Sequence, residues 1–174
     1  MWIVIDGYNV IRRSATFAPL DRRDIAEGRN AFLAALSAYR RRKGHRITVV
    51  FDAWERGASS EQSAQVAGVN VVFSRRGELA DQTILRLAEK AAAGSVVITS
   101  DRSLGQAIER TGALVLSAEE FEERLDLALQ GGDDEGARED DEPDSREPGP
   151  RKTKGAARRP SKRARRRSIT LGRL

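Results

Sequence analysis

Five acids in this chain are spaced as though they serve one site. Asp6 ends the apolar run "WIVI" (2–5), Asp52 ends "ITVVF" (47–51), and Asp101 closes "SVVITSD". Glu78 and Asp81 lie three apart in "GELADQT", a spacing that puts both on one face of a helix. Unit charges 4 Å apart repel by about 4 kcal/mol at an effective dielectric of 20, so carboxylates gathered on one patch need shared protons or a cation. The chain has no cysteine and one histidine, His45, beside the basic run "RRRKGHR", where a surface turn is the reading. An oxygen-only donor set of Asp6, Asp81, Asp101, Asp52 and Glu78 suits a hard ion, Mg2+ or Mn2+, and not zinc. Such an ion acidifies a water and neutralises charge growing on phosphorus oxygens. The chemistry that follows is phosphodiester hydrolysis, with Asp6, Asp52, Asp81 and Asp101 as direct or water-mediated ligands. Asn9 can fix Asp6 or donate to a phosphate oxygen. Ser100 and Thr99 can hold a water or simply tie their turn.

The bland readings stand beside these. Asp101 opens "DRSLGQAIER" and can serve as a helix N-cap. An acid in a first helical turn, as Glu78 would be, is favoured by the dipole alone. Asp6 differs, because "GYNVI" after it does not look like a helix needing a cap.

Short β-branched runs position the acids: 2–5, 47–51, "VNVVF" (69–73), 95–99 and "ALVLS" (113–117) look like strands buried on both faces. Between them, Ile25, Phe32, Leu33, Leu36 and Tyr39 recur at helical spacing before Gly44. Leu79, Ile84, Leu87, Ala88 and Ala91 precede Gly94; Leu104, Ala107 and Ile108 precede Gly112; Phe121, Leu125 and Leu129 form a fourth stripe. Alternating strands and helices predict an α/β fold with a mainly parallel sheet covered on both faces. The acids then emerge at the carboxyl edge, where such sheets bind ligands. Residues 53–68 read mainly as loop.

Arginines flank each acid: Arg12 and Arg13 after the first, Arg56 after the second, Arg75 and Arg76 before the third, Arg102 after the last. An acidic hole rimmed by arginine fits a polyanion backbone that delivers one phosphate to a metal. Taken singly, each arginine is also an ordinary solvated charge. Trp54 and Tyr8 can stack on unpaired bases or pack under a loop.

Residues 1–130 carry 18 Lys+Arg and 17 Asp+Glu, whereas 131–174 carry 13 and 9. The division is therefore a core domain, 1–130, and a tail, 131–174. In the tail, nine acids fall within 133–147, and eleven Lys+Arg with no acid fall within 151–174. Low apolar content predicts disorder there. The basic block is expected to attach to RNA or the ribosome, with the acidic block competing for it. No secretory pattern or membrane-length apolar run is visible, and a cytoplasmic protein with no membrane partner is expected.

Together "IVIDGYNVI", "VVFDA", "GELADQTI" and "VVITSD" resemble the YacP-like branch of the NYN-domain ribonucleases, akin to PIN-domain nucleases. The likeness spans residues 2 to about 128 and excludes the tail beyond about 131. It implies a three-layer α/β/α PIN-like fold, a Mg2+ or Mn2+ site and RNA endonuclease activity, with messenger RNA on the ribosome as one substrate class. By position Asp6, Asp52, Asp81 and Asp101 match the family's acidic pocket, Asn9 its motif asparagine, and Glu78 an acid often found there. Two other classes compete. A non-catalytic RNA- or ribosome-binding module has no need of the full acid set. A small-molecule phosphohydrolase of the haloacid dehalogenase type needs a second Asp where Tyr8 stands. No G-x-G-x-x-G follows the first strand to suggest a dinucleotide enzyme.

Overall fold

The computed structural model describes residues 1–52, 61–91, 94–131, 168, 170 and 172–174. The chain divides into two units, Met1–Gly132 and Asp133–Leu174. The first is a three-layer α/β/α domain. Arg56 and Trp54, and the tail apart from the residues just given, lie outside the described set.

Six strands form one sheet, in order β3-β4-β2-β1-β5-β6: β1 (Trp2–Asp6), β2 (Arg46–Phe51), β3 (Gln62–Val66), β4 (Val69–Phe73), β5 (Ser95–Ile98) and β6 (Leu114–Leu116). All neighbours pair parallel except β3, which runs antiparallel to β4. Successive side chains of a strand point to opposite faces, so a strand covered on both sides must be apolar throughout. That is why Ile3, Val4 and Ile5 are all fully buried. Val4, Val50, Val72 and Val97 share one face with Ile84 and Ala88 of α4 (Ala80–Ala91) and Leu104 and Ile108 of α5 (Arg102–Arg110). In the other layer, α1 (Gly7–Arg13), α2 (Ala18–Arg23), α3 (Ile25–Lys43) and α6 (Ala118–Leu129) pack on one another. Phe32, Leu36, Tyr39 and Phe121 are fully buried there.

Two expectations are corrected. Residues 7–13 are a helix, and Asp6 is its N-cap, accepting from the Asn9 backbone N–H at 3.3 Å. The stretch 62–66, read as loop, is strand β3; all five residues are exposed, so no apolar alternation marks it.

The change from strand to helix at Asp6–Gly7 depends on the missing side chain of Gly7. A Cβ there would fall well inside van der Waals contact with the ring of Phe51, which is fully buried between Tyr8 and Phe73. Gly7→Ala is expected to cost about 1–3 kcal/mol through overpacking, read as a lower denaturant midpoint with unchanged slope. A midpoint equal to the parent's would show that Phe51 yields freely.

Candidate active site

The site lies where the connections from the sheet diverge. From central β1 the chain passes outward to β2, and later crosses back to β5 on β1's other side. The carboxyl ends of β1 and β5 therefore flank the crevice where parallel sheets bind ligands. Asp6 is the last residue of β1 and Asp101 stands just after β5.

Hydrogen bonds lock these two ends together. The buried Thr99 hydroxyl donates to Asp6 Oδ2 at 3.2 Å and accepts from the Asp101 backbone N–H at 3.1 Å. Asn9 Oδ1 accepts from the Ser100 backbone N–H at 2.9 Å, so the asparagine holds the turn after β5 and keeps its side-chain nitrogen as a donor.

Three of the aspartates also terminate helices. Asp101 Oδ1 accepts from Leu104 N–H at 2.8 Å as N-cap of α5, and Asp52 Oδ1 accepts from Ala80 N–H at 2.6 Å at the start of α4. Asp6 caps α1. Each cap fixes a carboxylate rigidly, while among the described residues the second oxygens of Asp52 and Asp101 accept no hydrogen bond. Asp81 sits half-buried in the first turn of α4.

Electrostatically the four aspartates form one set. Burial pushes the Asp6 carboxyl up to about 6; the Asn9 N–H and Thr99 hydroxyl oppose this, and the charges of Asp81 and Asp52 add to it. Asp81 is raised too, first by burial and then by the charges of Asp101 and Asp52. Among the described residues none of the four takes part in an ion pair.

Such an uncompensated oxygen set fits a hard divalent ion. Among the described residues no three acids stand close enough to hold an ion together. The fit is thus to an ion that keeps several waters and touches one or two carboxylates, as Mg2+ commonly does.

Glu78 stands apart from that set. It pairs with Arg86, which also binds Glu61 at 2.7 Å and Thr83 at 3.1 Å, and with Arg75 at 3.9 Å. Its charge is already answered by guanidinium.

Several proposed RNA contacts are also engaged. Arg13 pairs with Glu119 at 3.2 Å, and Arg12 lies over the Tyr8 ring and 3.8 Å from Asp21. The Ser100 hydroxyl donates to Glu119 at 3.1 Å and accepts from Ala118 N–H. Arg76 and Arg102 are exposed, and neither is in an ion pair among the described residues. Tyr8 is buried against Phe51.

Glu119 was not legible as part of this edge. It lies beside the capping box of α6 formed by Ser117 and Glu120. Its carboxyl is held below the usual range, first by a backbone N–H and then by Ser100, Ser117 and Arg13.

A family model described as "YacP-like NYN domain" matches residues 3–158. The match runs past residue 131, so part of the tail expected to lie outside the family domain falls within it. An uncharacterized protein YacP of Bacillus subtilis is 33% identical over 123 residues, covering 68% of this chain and 71% of the relative. The crystal structure of YacP from Bacillus subtilis superposes with a TM-score of 0.63 at 29% identity, covering 75% of this chain and 76% of that one. A mutant form of it gives a TM-score of 0.62, also at 29% identity, covering 75% and 77%. No described helix is long and apolar enough to cross a membrane.

Proposed function

From the premise that this chain belongs to the YacP-like NYN domain family of PIN-like nucleases, we propose that it is a metal-dependent RNA endonuclease that hydrolyses phosphodiester bonds. The observation that carries this reading is the aspartate set at the carboxyl edge, uncompensated by any cation among the described residues and mutually repelling. The helix starts account for where Asp6, Asp52 and Asp101 sit, and the charge left unanswered there is what a bound cation would offset.

Of Asp6, Asp52, Asp81 and Asp101, one or two would touch Mg2+ or Mn2+ directly and the others would act through its waters. Such an ion supplies a low-pKa water and offsets charge on the phosphorus oxygens. The chain's own contribution is preorganisation. The caps on Asp6, Asp52 and Asp101 fix where each carboxylate sits before substrate arrives, and the Thr99 bridge keeps the two central strand ends in register. Among the described residues the Asn9 amide nitrogen and the guanidiniums of Arg76 and Arg102 have no carboxylate partner, which leaves the first for a phosphate oxygen and suits the others to flanking phosphates. Arg12, Arg13 and Arg75 reach a phosphate by exchanging their carboxylate partners for it.

The experiment is cleavage of an end-labelled RNA by the full chain in Mg2+ or Mn2+, with EDTA as control and mapping of product ends. Internal cuts that vanish with EDTA are expected; intact RNA in both metals would overturn the reading. The family resemblance supports messenger RNA on the ribosome, and hence a cytoplasmic site of action. Faster cutting of a transcript engaged by ribosomes than of the free transcript would bear this out, and equal rates would exclude a ribosome requirement.

A further inference from the structure

The cations at the opposite edge of the sheet remain unexplained by the acidic crevice. Helix α3 ends in four consecutive cations, Arg40, Arg41, Arg42 and Lys43, and β2 begins three residues later at Arg46. Arg46 pairs in register with Trp2, at the start of β1. Four residue steps along β1 separate Trp2 from Asp6, roughly 13 Å at 3.3 Å per residue, so this cluster and the aspartates occupy opposite rims.

Among the described residues, Arg12, Arg13, Arg23, Arg75 and Arg86 each have a carboxylate partner. At the aspartate rim Arg76 and Arg102 stand without one among the described residues while their neighbours are paired; in the run at the opposite rim none of Arg40, Arg41, Arg42, Lys43 and Arg46 has one.

Structural duties account for part of the run. Arg42 bonds the Ala128 carbonyl near the end of α6, Arg41 Nη1 donates to Ser37 Oγ at 2.8 Å, and Arg40 lies against Gly68. A helix C-terminus favours cations, but one or two suffice, and each further like charge adds repulsion. Arg41 and Arg46 are exposed and Lys43 half-buried. The Arg46 guanidinium lies 4.3 Å from the centroid of the Trp2 ring, which is itself half-buried and anchored through Nε1 to Thr48 at 3.0 Å. The Arg46 guanidinium, backed by an indole that packs on the core, presents a planar cationic face on which a base can stack. The neighbouring cations, without a carboxylate partner among the described residues, offer phosphate contacts beside it.

We propose that Arg41, Lys43 and Arg46, with Trp2, form a second docking site for single-stranded RNA on the rim opposite the aspartates. It holds a stretch of RNA remote from the phosphate being cut. This deepens the nuclease reading and rests on RNA being the substrate.

The test uses the full chain with Arg41, Lys43 and Arg46 all changed to Gln. Binding to a 30-nucleotide RNA is measured by fluorescence anisotropy in EDTA across a salt series, and turnover is measured separately on a trinucleotide too short to reach both rims. Each lost phosphate contact lowers the log–log salt slope by about 0.7 on single strands. The triple variant should therefore lose about two from the slope and bind about a hundredfold more weakly near 0.1 M salt. Trinucleotide turnover should be unchanged, and the charge-preserving pair Arg41→Lys with Arg46→Lys should keep most of the affinity. Parental affinity and slope in the triple variant would overturn the proposal, as would equally tight binding of poly-glutamate by the parent. A parent that binds the long RNA through these residues yet cuts nothing would sink the nuclease reading alone.

Discussion

The Asp81→Asn protein is expected to cut RNA about a thousandfold more slowly than its parent in Mg2+ and to melt at the same temperature or higher. Cleavage through a metal draws several kcal/mol of transition-state stabilisation from the ion, at about 1.4 kcal/mol per tenfold in rate, and loss of one anionic oxygen donor weakens its hold. The fold depends little on this charge. Asp81 has no ion-pair partner among the described residues, and it contributes to the repulsion that raises Asp6. Removing the charge relieves that repulsion. The amide keeps the shape, so lost activity cannot be charged to lost packing. Single-turnover cleavage of end-labelled RNA and calorimetry on the same preparation are the measurements. Parental rates would remove Asp81 from the site. A large fall in melting temperature would make its role structural. Asp52→Asn and Asp101→Asn should behave alike, because asparagine can still accept the Ala80 and Leu104 N–H groups that these residues cap.

Such isosteres separate the two duties because Asp6, Asp52 and Asp101 are caps and charges at once, and the cap was legible in the sequence for Asp101 alone. The parallel strands were visible because burial on both faces demands unbroken β-branched runs such as 47–51. From their alternation with helices it followed that Asp6, Asp52 and Asp101 share an edge. Strand β3 left no trace, since exposed "QSAQV" carries no period. Helix α1 was missed because it starts on the residue after a strand, with a buried glycine that reads as a turn.

Pairings between distant segments were out of reach for a different reason. Arg13 and Glu119, 106 residues apart, meet because α1 packs on α6, and Ser100 and Glu119, 19 apart, meet because β5 pairs with β6; nothing local announces either partner. The Glu78 pair with Arg86 is the exception. Eight residues apart across the start of one helix, it could have been sought as a competitor for the proposed metal role.

Without metal, the contribution of Asp6 to stability should fall as pH rises from about 4 to about 6, opposite to what a carboxylate stabilised by a salt bridge would produce. The Asp6 carboxyl sits at about 6 in the folded chain against 3.8 for an ordinary aspartate. The folded state therefore binds the Asp6 proton more tightly than the unfolded state does. Its stabilising contribution is complete below pH 3.8 and is lost as pH passes about 6. At 1.36 kcal/mol per pKa unit, the charged form costs about 3 kcal/mol at neutral pH. Asp81 pulls in the same direction and Glu119 in the other, so the whole-protein curve is a sum. The Asp6→Asn variant isolates the one group. Its amide cannot titrate; its oxygen still accepts from the Asn9 N–H, and its NH2 stands where Oδ2 was and can donate to the Thr99 hydroxyl oxygen. Urea unfolding in EDTA should show the variant gaining about 3 kcal/mol on the parent between pH 4 and pH 8. Parallel curves would mean that Asp6 is not held in its charged form against burial and its neighbours. Millimolar Mg2+ should narrow the gap, because an ion that binds the folded carboxylates at a hundred times its Kd returns about 2.7 kcal/mol to the parent. On the proposed reading, the stability lost by holding Asp6 charged against burial and its neighbours is what a bound cation returns.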